Sequence, residues 1–340
     1  MLFDMLKDLC LIDGPSGFEQ EVAREICRRL DGKCQYTIDN LGNILAFKKG
    51  KETPKNKLMI SAHMDEVGMI VTGALPDGML RIGMVGGIDP RVVLGRLVTV
   101  GPKKIKGVLG TKAMHMQTKE ERSTAVPADK LYIDIGAKDK EDALSIVSLG
   151  DPVSFCASYQ EFGEGLICSK AIDDRFGCAA LLTMIESELP YDTHFAFCVQ
   201  EEVGLRGARA AAFTIAPDVA IVVETTTAAD ISGVEEHKQV CKLGDGPAVS
   251  FMDNATVYDR ELYALAFDVA RKNGIPCQTK TLVAGGNDAG AIHVSRGGVR
   301  TIAVSVPGRY LHSPSTVASI RDMEAAARLV PLLAAEAANL

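Results

Sequence analysis

Five short clusters of acid and imidazole groups stand out in this chain of 340 residues, each at or just beyond a run of apolar residues. Ile60-Ser61-Ala62 leads into His63-Met64-Asp65-Glu66, Ala171-Ile172 into Asp173-Asp174-Arg175, and Phe197-Cys198-Val199-Gln200 into Glu201-Glu202. Glu224 ends the run Val219–Val223, and His312 follows the run Thr301–Val306 within Pro307-Gly308-Arg309-Tyr310-Leu311-His312-Ser313-Pro314. Mixed imidazole nitrogen and carboxylate oxygen is a donor set suited to zinc, cobalt or manganese. Paired acids at the end of a buried strand are costly unless a cation compensates them. Open α/β sheets bind ligands at the carboxyl ends of their strands, which is where these clusters fall.

The clusters suggest different duties. His63 can ligate through one ring nitrogen while Asp65 holds the other, which fixes the tautomer and raises basicity. Asp173 can offer one carboxylate oxygen to each of two cations. Read locally, the Asp173-Asp174 pair also serves as an N-cap for the apolar helix that follows, with Arg175 in a surface ion pair. Glu201 and Glu202 leave a strand end in different directions, so one can ligate while the other moves protons. His115, His194, His237 and His293 have no comparable setting and read as surface or core residues. The stretch Glu235-Glu236-His237-Lys238 is polar and has no strand leading into it.

For these groups to converge, the chain must supply strands ending at one edge. Near-continuous apolar runs at Leu58–Ala62, Phe195–Val199, Val219–Val223 and Thr301–Val306 read as strands buried on both faces. Gly177–Leu189 and Tyr258–Lys272 read as helices between them. The alternation predicts an α/β domain with a mostly parallel sheet flanked by helices. Near the start, Ser16-Gly17-Phe18-Glu19 has the form of a capping box ahead of Phe18, Val22, Ile26 and Leu30 at helical spacing. From about Ile70 to Cys156 short β-rich pieces alternate with Gly and Pro turns. This segment, 70–156, reads as a small β domain inserted into an α/β domain made of 1–69 and 157–340.

Bulk properties agree. At 340 residues the chain exceeds the roughly 250–300 at which one core usually stops growing, so two domains are expected. With 47% hydrophobic and 24% charged residues and no repeats or charge runs, it has the means to bury a core. A net charge of -7 without a basic stripe argues against a nucleic-acid partner. No apolar run is long enough to span a bilayer, and Met1–Cys10 lacks a signal-peptide core. The nine scattered cysteines, never in CxxC spacing, read as reduced thiols of a cytoplasmic protein.

The order His63-x-Asp65, Asp173-Asp174-Arg175, Glu201-Glu202-Val203-Gly204, the acid Glu224, and Arg309-Tyr310-x-His312-Ser313-Pro314 resembles the glutamyl aminopeptidase and endoglucanase-M family. Its members include the tetrahedral, twelve-subunit TET aminopeptidases. The resemblance extends from Pro15-Ser16-Gly17-Phe18-Glu19 through Leu131-Tyr132-Ile133-Asp134-Ile135-Gly136 to Gly285-Gly286-Asn287-Asp288-Ala289. It implies a zinc-peptidase-like catalytic domain with an inserted β-barrel or PDZ-like domain that mediates homo-oligomerisation, from dimer to dodecamer. It implies that His63, Asp173 and Glu224 hold one divalent metal, and Asp173, Glu202 and His312 a second. Zinc is the first choice, with cobalt or manganese as alternatives. By the same resemblance Glu201 is the general base and Asp65 the partner of His63. Two positions depart from the family pattern: Glu224 stands where Asp is commoner, and Asn287 replaces the commoner threonine.

The implied reaction is hydrolysis of the N-terminal residue from a peptide. A pair of metals makes water nucleophilic near neutral pH and polarises the scissile carbonyl, while Glu201 moves the proton from water to the leaving amine. Three readings compete: a related di-metal carboxypeptidase or deacylase, a two-carboxylate endoglucanase needing no transition metal, and a catalytically silent scaffold. These motifs leave the preferred N-terminal residue open.

Overall fold

A computed structural model describes residues 1–340. Eleven strands form one sheet: β1 (Gln35–Ile38), β2 (Ile44–Lys48), β3 (Leu58–His63), β10 (Tyr159–Phe162), β11 (Leu166–Ser169), β12 (Thr193–Cys198), β13 (Val219–Thr227), β14 (Ala248–Ser250), β15 (Gln278–Lys280), β16 (Arg300–Arg309) and β17 (Thr316–Ser319). The remaining strands, β4 (Gly68–Ala74), β5 (Leu80–Val85), β6 (Leu97–Val100), β7 (Ile105–Gly110), β8 (Tyr132–Asp134) and β9 (Pro152–Phe155), close into an antiparallel barrel.

The large sheet runs β1-β2-β12-β3-β13-β16-β17-β11-β10. Its centre, β12-β3-β13-β16, is parallel and corresponds to the four apolar runs. Every residue of β3 and the first eight of β13 are buried, as doubly covered strands require. The sheet as a whole is mixed, which corrects the expectation of a mostly parallel one. β1, β2, β17, β11 and β10 all add antiparallel neighbours. These flanking strands are short, and several carry exposed polar residues, so no long apolar run announces them. β16 serves both arrangements: it pairs in parallel with β13, and its last residues, Gly308 and Arg309, turn antiparallel against β17.

Helix Ile172–Glu186 packs on β3 and β13, and helix Arg206–Ile215 on β12. The C-terminal helix Ile320–Ala337 covers β16 and packs on helix Arg260–Lys272. The main core of 63 buried residues is separate from a cluster of 15 inside the barrel. The chain leaves the sheet after β3 and returns to it at β10, so the barrel hangs from the strand that carries His63. No helix is long and apolar enough to cross a membrane.

Two local expectations are corrected. Helix Gln20–Leu30 does bury Val22, Ile26 and Leu30, but Ser16 does not cap it. Instead the Ser16 hydroxyl donates to Asp65 Oδ2 at 2.6 Å. Arg175 is no surface residue either: it is fully buried and donates to the carbonyls of Met64 and Leu9 at 2.7 and 2.6 Å. Its guanidinium ties the N-terminal helix to the turn that follows His63.

Candidate active site

The parallel strands end together, and their ends bring the predicted residues into one place. His63 closes β3, Glu224 lies within β13, and Glu201 and Glu202 follow β12. Asp173 sits at the start of helix Ile172–Glu186, where Asp173 and Asp174 depart from helical backbone angles and their peptide bond is cis. His312 comes from the loop after β16. One cavity of about 160 Å³ is lined by His63, Asp173, Glu201, Glu202, Glu224 and His312.

Within that cavity the two oxygens of Asp173 point at different imidazoles. Oδ1 lies 3.2 Å from His63 Nε2, and Oδ2 lies 3.5 Å from His312 Nε2. Glu224 Oε1 approaches the same His63 nitrogen at 3.4 Å, and Glu202 Oε2 the same His312 nitrogen at 3.3 Å. These spacings suit pairs of ligands around a common cation: with bonds of about 2.0–2.1 Å, tetrahedral ligands sit roughly 3.3 Å apart.

Both imidazoles are held in the tautomer that ligation needs. His63 Nδ1 faces the Asp65 carbonyl at 3.1 Å and its carboxylate at 3.3 Å. His312 Nδ1 faces the Gly87 carbonyl at 2.9 Å. A carbonyl only accepts, so each Nδ1 carries a hydrogen and each Nε2 is the ring atom turned to the cavity, where loss of its proton would free a lone pair for a cation. Asp65 is fixed in turn by Ser16 and by the main-chain N–H groups of Glu201 and Glu202, at 2.9 and 3.1 Å.

Electrostatics follow from crowding acids in a buried place. Burial, aided by the like charges of Glu224, Asp288 and Glu202, raises the pKa of Glu201 well above the usual range. Burial also pushes Glu202 and Glu224 up to about 8. For Asp173 burial works the same way, yet hydrogen bonds to His312 and His63 outweigh it and lower its pKa. Burial disfavours charge on His63, but Glu224, Asp173 and Asp65 outweigh it and raise its pKa. A concentration of carboxylates that strains against ionisation is what divalent cations relieve.

The helix-capping reading of the Asp pair belongs to Asp174 alone. Its carboxylate accepts from the Gly177 N–H at 2.9 Å and from the His63 N–H at 3.4 Å. His63, Asp174 and Glu224 do offer donor atoms within 4.8 Å of one another, as do His63, Asp173 and Glu202. Because the Asp174 oxygens are spent on main-chain N–H groups, Asp173 is the freer ligand. Sequence reasoning missed Ser16, Gly87 and Asp174. Only Asp174 had a visible signal, its place beside Asp173. His115, His194, His237 and His293 lie outside the cavity lining.

The profile of the M42 glutamyl aminopeptidase family matches residues 42–329, an interval that holds every residue of this cluster. The chain belongs to the M42 glutamyl aminopeptidase family. As an M42 member it is a peptidase hydrolase. A relative from Acetivibrio thermocellus, named provisionally as an aminopeptidase, is 40% identical over 333 residues, 97% of each chain. Among solved structures, the TET aminopeptidase of Thaumarchaeota archaeon SCGC AB-539-E09 superposes with a TM-score of 0.94 at 32% identity, covering 99% of both chains. The TET1 peptidase of Pyrococcus horikoshii, which can assemble into a tetrahedron or a large octahedral shell, gives a TM-score of 0.86 at 33% identity, covering 98% of this chain and 99% of its own.

Proposed function

We propose that this M42 chain is a dinuclear metallo-aminopeptidase that removes single residues from the amino end of peptides. The observation that carries the reading is the division of Asp173, one oxygen toward His63 and the other toward His312. His63, Asp173 and Glu224 would hold one divalent ion, and Asp173, Glu202 and His312 the other. Zinc suits the mixed nitrogen and oxygen donors, with cobalt or manganese as alternatives. When bound, the two ions supply positive charge that polarises a peptide carbonyl and makes water nucleophilic near neutral pH.

The chain's own residues do the rest. Glu201 lines the cavity without being placed as a ligand, and its raised pKa matches a group that takes a proton from water and returns it to the leaving amine. Asp65 positions both partners at once, holding the His63 ring and the Glu201 main chain. Segment 70–156 is the unit through which copies of the chain assemble, a reading supported by the barrel's separate core and by the assembly named for the Pyrococcus horikoshii relative. A cytoplasmic location fits the nine free cysteines.

The test is a panel of aminoacyl anilides presented to chelator-stripped protein reloaded separately with zinc, cobalt and manganese. Activity should return with metal and saturate near two ions per chain. Turnover that survives stripping removes the metal mechanism. An N-acetylated substrate cleaved as fast as its free-amine form moves the chain to a carboxypeptidase or deacylase class.

A further inference from the structure

The segment Ser16-Gly17-Phe18-Glu19 has the spelling of a helix cap, yet neither of its polar side chains caps helix Gln20–Leu30. Ser16 goes to Asp65. Glu19 is only 4% exposed, and one of its oxygens, Oε1, accepts two main-chain N–H groups, from Gly17 at 2.8 Å and from Gln200 at 3.1 Å. Gln200 lies 181 positions away in the chain and immediately precedes Glu201.

The turn that Glu19 reaches has no ladder of its own. β12 ends at Cys198, and the next four N–H groups all go to side-chain oxygens. Val199 donates to Asn43 Oδ1 at 2.9 Å, Gln200 to Glu19, and Glu201 and Glu202 to the two oxygens of Asp65. Consecutive amides held by side chains from separate segments form a bracket around the residues that carry the proposed base and a proposed ligand. Gln200 has φ 56°, in the left-handed region that a residue with a Cβ occupies at a cost. Contacts from outside the turn must hold it there, and the direction in which Glu201 leaves the backbone follows from it.

The holders differ in what else they do. Asp65 also grips His63, so a change there disturbs a proposed metal ligand. Asn43 also donates to Asp39 and to the Gly207 carbonyl, which ties it to the seating of helix Arg206–Ile215. Glu19 bonds only to main-chain N–H groups, one in its own turn and one beside Glu201, and it lies outside the cavity lining. We infer that Glu19 is a positioning residue for the proton transfer, its carboxylate fixing the Gln200 peptide so that the Glu201 side chain is already aimed into the cavity. This rests on the aminopeptidase reading above and on Glu201 as its base. A reacting group displaced by about 1 Å can lose about 100-fold in rate, so a hold on the main chain is enough to matter.

The experiment compares three variants of the full-length, metal-loaded protein on the aminoacyl 4-nitroanilide that the unsubstituted protein cleaves fastest. Glu19→Met keeps the bulk and loses the acceptor, Glu19→Asp withdraws the carboxylate by one methylene, and Glu19→Gln keeps an acceptor oxygen in place. In Glu19→Met, kcat should fall about 10- to 100-fold. Glu19→Asp should lose less, and Glu19→Gln should keep most of the rate. KM and metal content should match those of the unsubstituted protein throughout. In a Glu201→Gln background, Glu19→Met should slow turnover no further, because the group it positions is already gone. Hydrogen exchange, read by mass spectrometry on fragments covering Phe197–Leu205, should quicken in Glu19→Met.

A full kcat per folded, metal-loaded chain in Glu19→Met and Glu19→Asp makes Glu19 a packing residue and overturns the assignment. Loss of metal, losses that multiply in the double variant, or a reduced kcat with unchanged exchange overturn it as well. If Glu19→Met does not fold, Glu19→Asp and Glu19→Gln decide by the same comparisons. Each of these outcomes leaves the aminopeptidase reading standing, whereas an unsubstituted protein that cleaves no aminoacyl anilide ends both.

Discussion

The main-chain carbonyl of Gly87 lies 2.9 Å from Nδ1 of His312, two residues 225 positions apart in the chain. Gly87 follows β5 of the barrel, whereas His312 follows β16 of the large sheet. The barrel thus does more than hang from β3. It orients an imidazole of the proposed metal site.

A branched side chain at position 87 should disturb that contact, because its Cβ would already touch His312 Nδ1 at 3.4 Å and the methyl groups beyond it would crowd the ring. Gly87→Val is expected to weaken one of the two metals by about 10- to 100-fold, the usual penalty for losing an outer partner of a ligand. Metal titration followed by calorimetry checks this. Two equally tight ions in the variant would show that His312 does not depend on Gly87.

Glu201→Gln removes the proposed proton carrier and keeps its shape. Turnover should fall by about 10²- to 10⁴-fold, with both metals retained by elemental analysis. Near-normal turnover would take Glu201 out of the mechanism, and loss of metal would make it a ligand.

Lys170 bridges Glu66 and Asp13 beneath the site, with its ammonium 2.6 and 3.0 Å from their oxygens. Glu66 is 3% exposed, and Lys170→Met leaves its carboxylate only the Gly14 N–H at 2.9 Å and the Arg175 guanidinium at 3.8 Å, so the change should cost at most about 3–5 kcal/mol in urea unfolding. Adding Glu66→Gln should recover part of that loss. No recovery would mean that the lysine acts through packing alone.

His194 stacks on Phe47 with ring centroids 5.0 Å apart. Burial, with the nearby Lys57 charge second, lowers its pKa to about 4. The unfolded chain then binds the proton more readily between about pH 6.5 and the folded value, so this residue's contribution is complete above 6.5 and is lost as pH falls toward 4. Comparing the unsubstituted protein with His194→Gln at each pH cancels changes common to both. The gap between them should narrow on acidification. A gap that stays constant would show that His194 does not titrate differently on folding.

Much of the candidate site was legible because its residues sit where apolar runs stop. Strand ends of an open sheet are forced to one edge, so His63, Glu202 and Glu224 had to be neighbours once β3, β12 and β13 ran parallel. The flanks were not legible. β1 and β10 are short, partly exposed arms of local hairpins with β2 and β11, and β17 pairs with the distant β11, so the sheet came out mixed. Ser16 illustrates a local rule outbid by a distant partner: its spacing to Glu19 matched a helix cap, yet its hydroxyl went to Asp65.

What the sequence by itself determined is therefore the inventory and its order: which acids and imidazoles lie at strand ends, and that a β-rich segment interrupts the α/β pattern. These are properties of local composition and period. Only the tertiary structure decided how they are aimed. The opposed oxygens of Asp173, the Gly87 carbonyl behind His312, the capping role of Asp174 and the hold of Glu19 on Gln200 all depend on main-chain groups or on segments far apart in sequence. A carbonyl or an amide has no letter of its own, and the partner of a buried carboxylate is visible only once every neighbour has been placed.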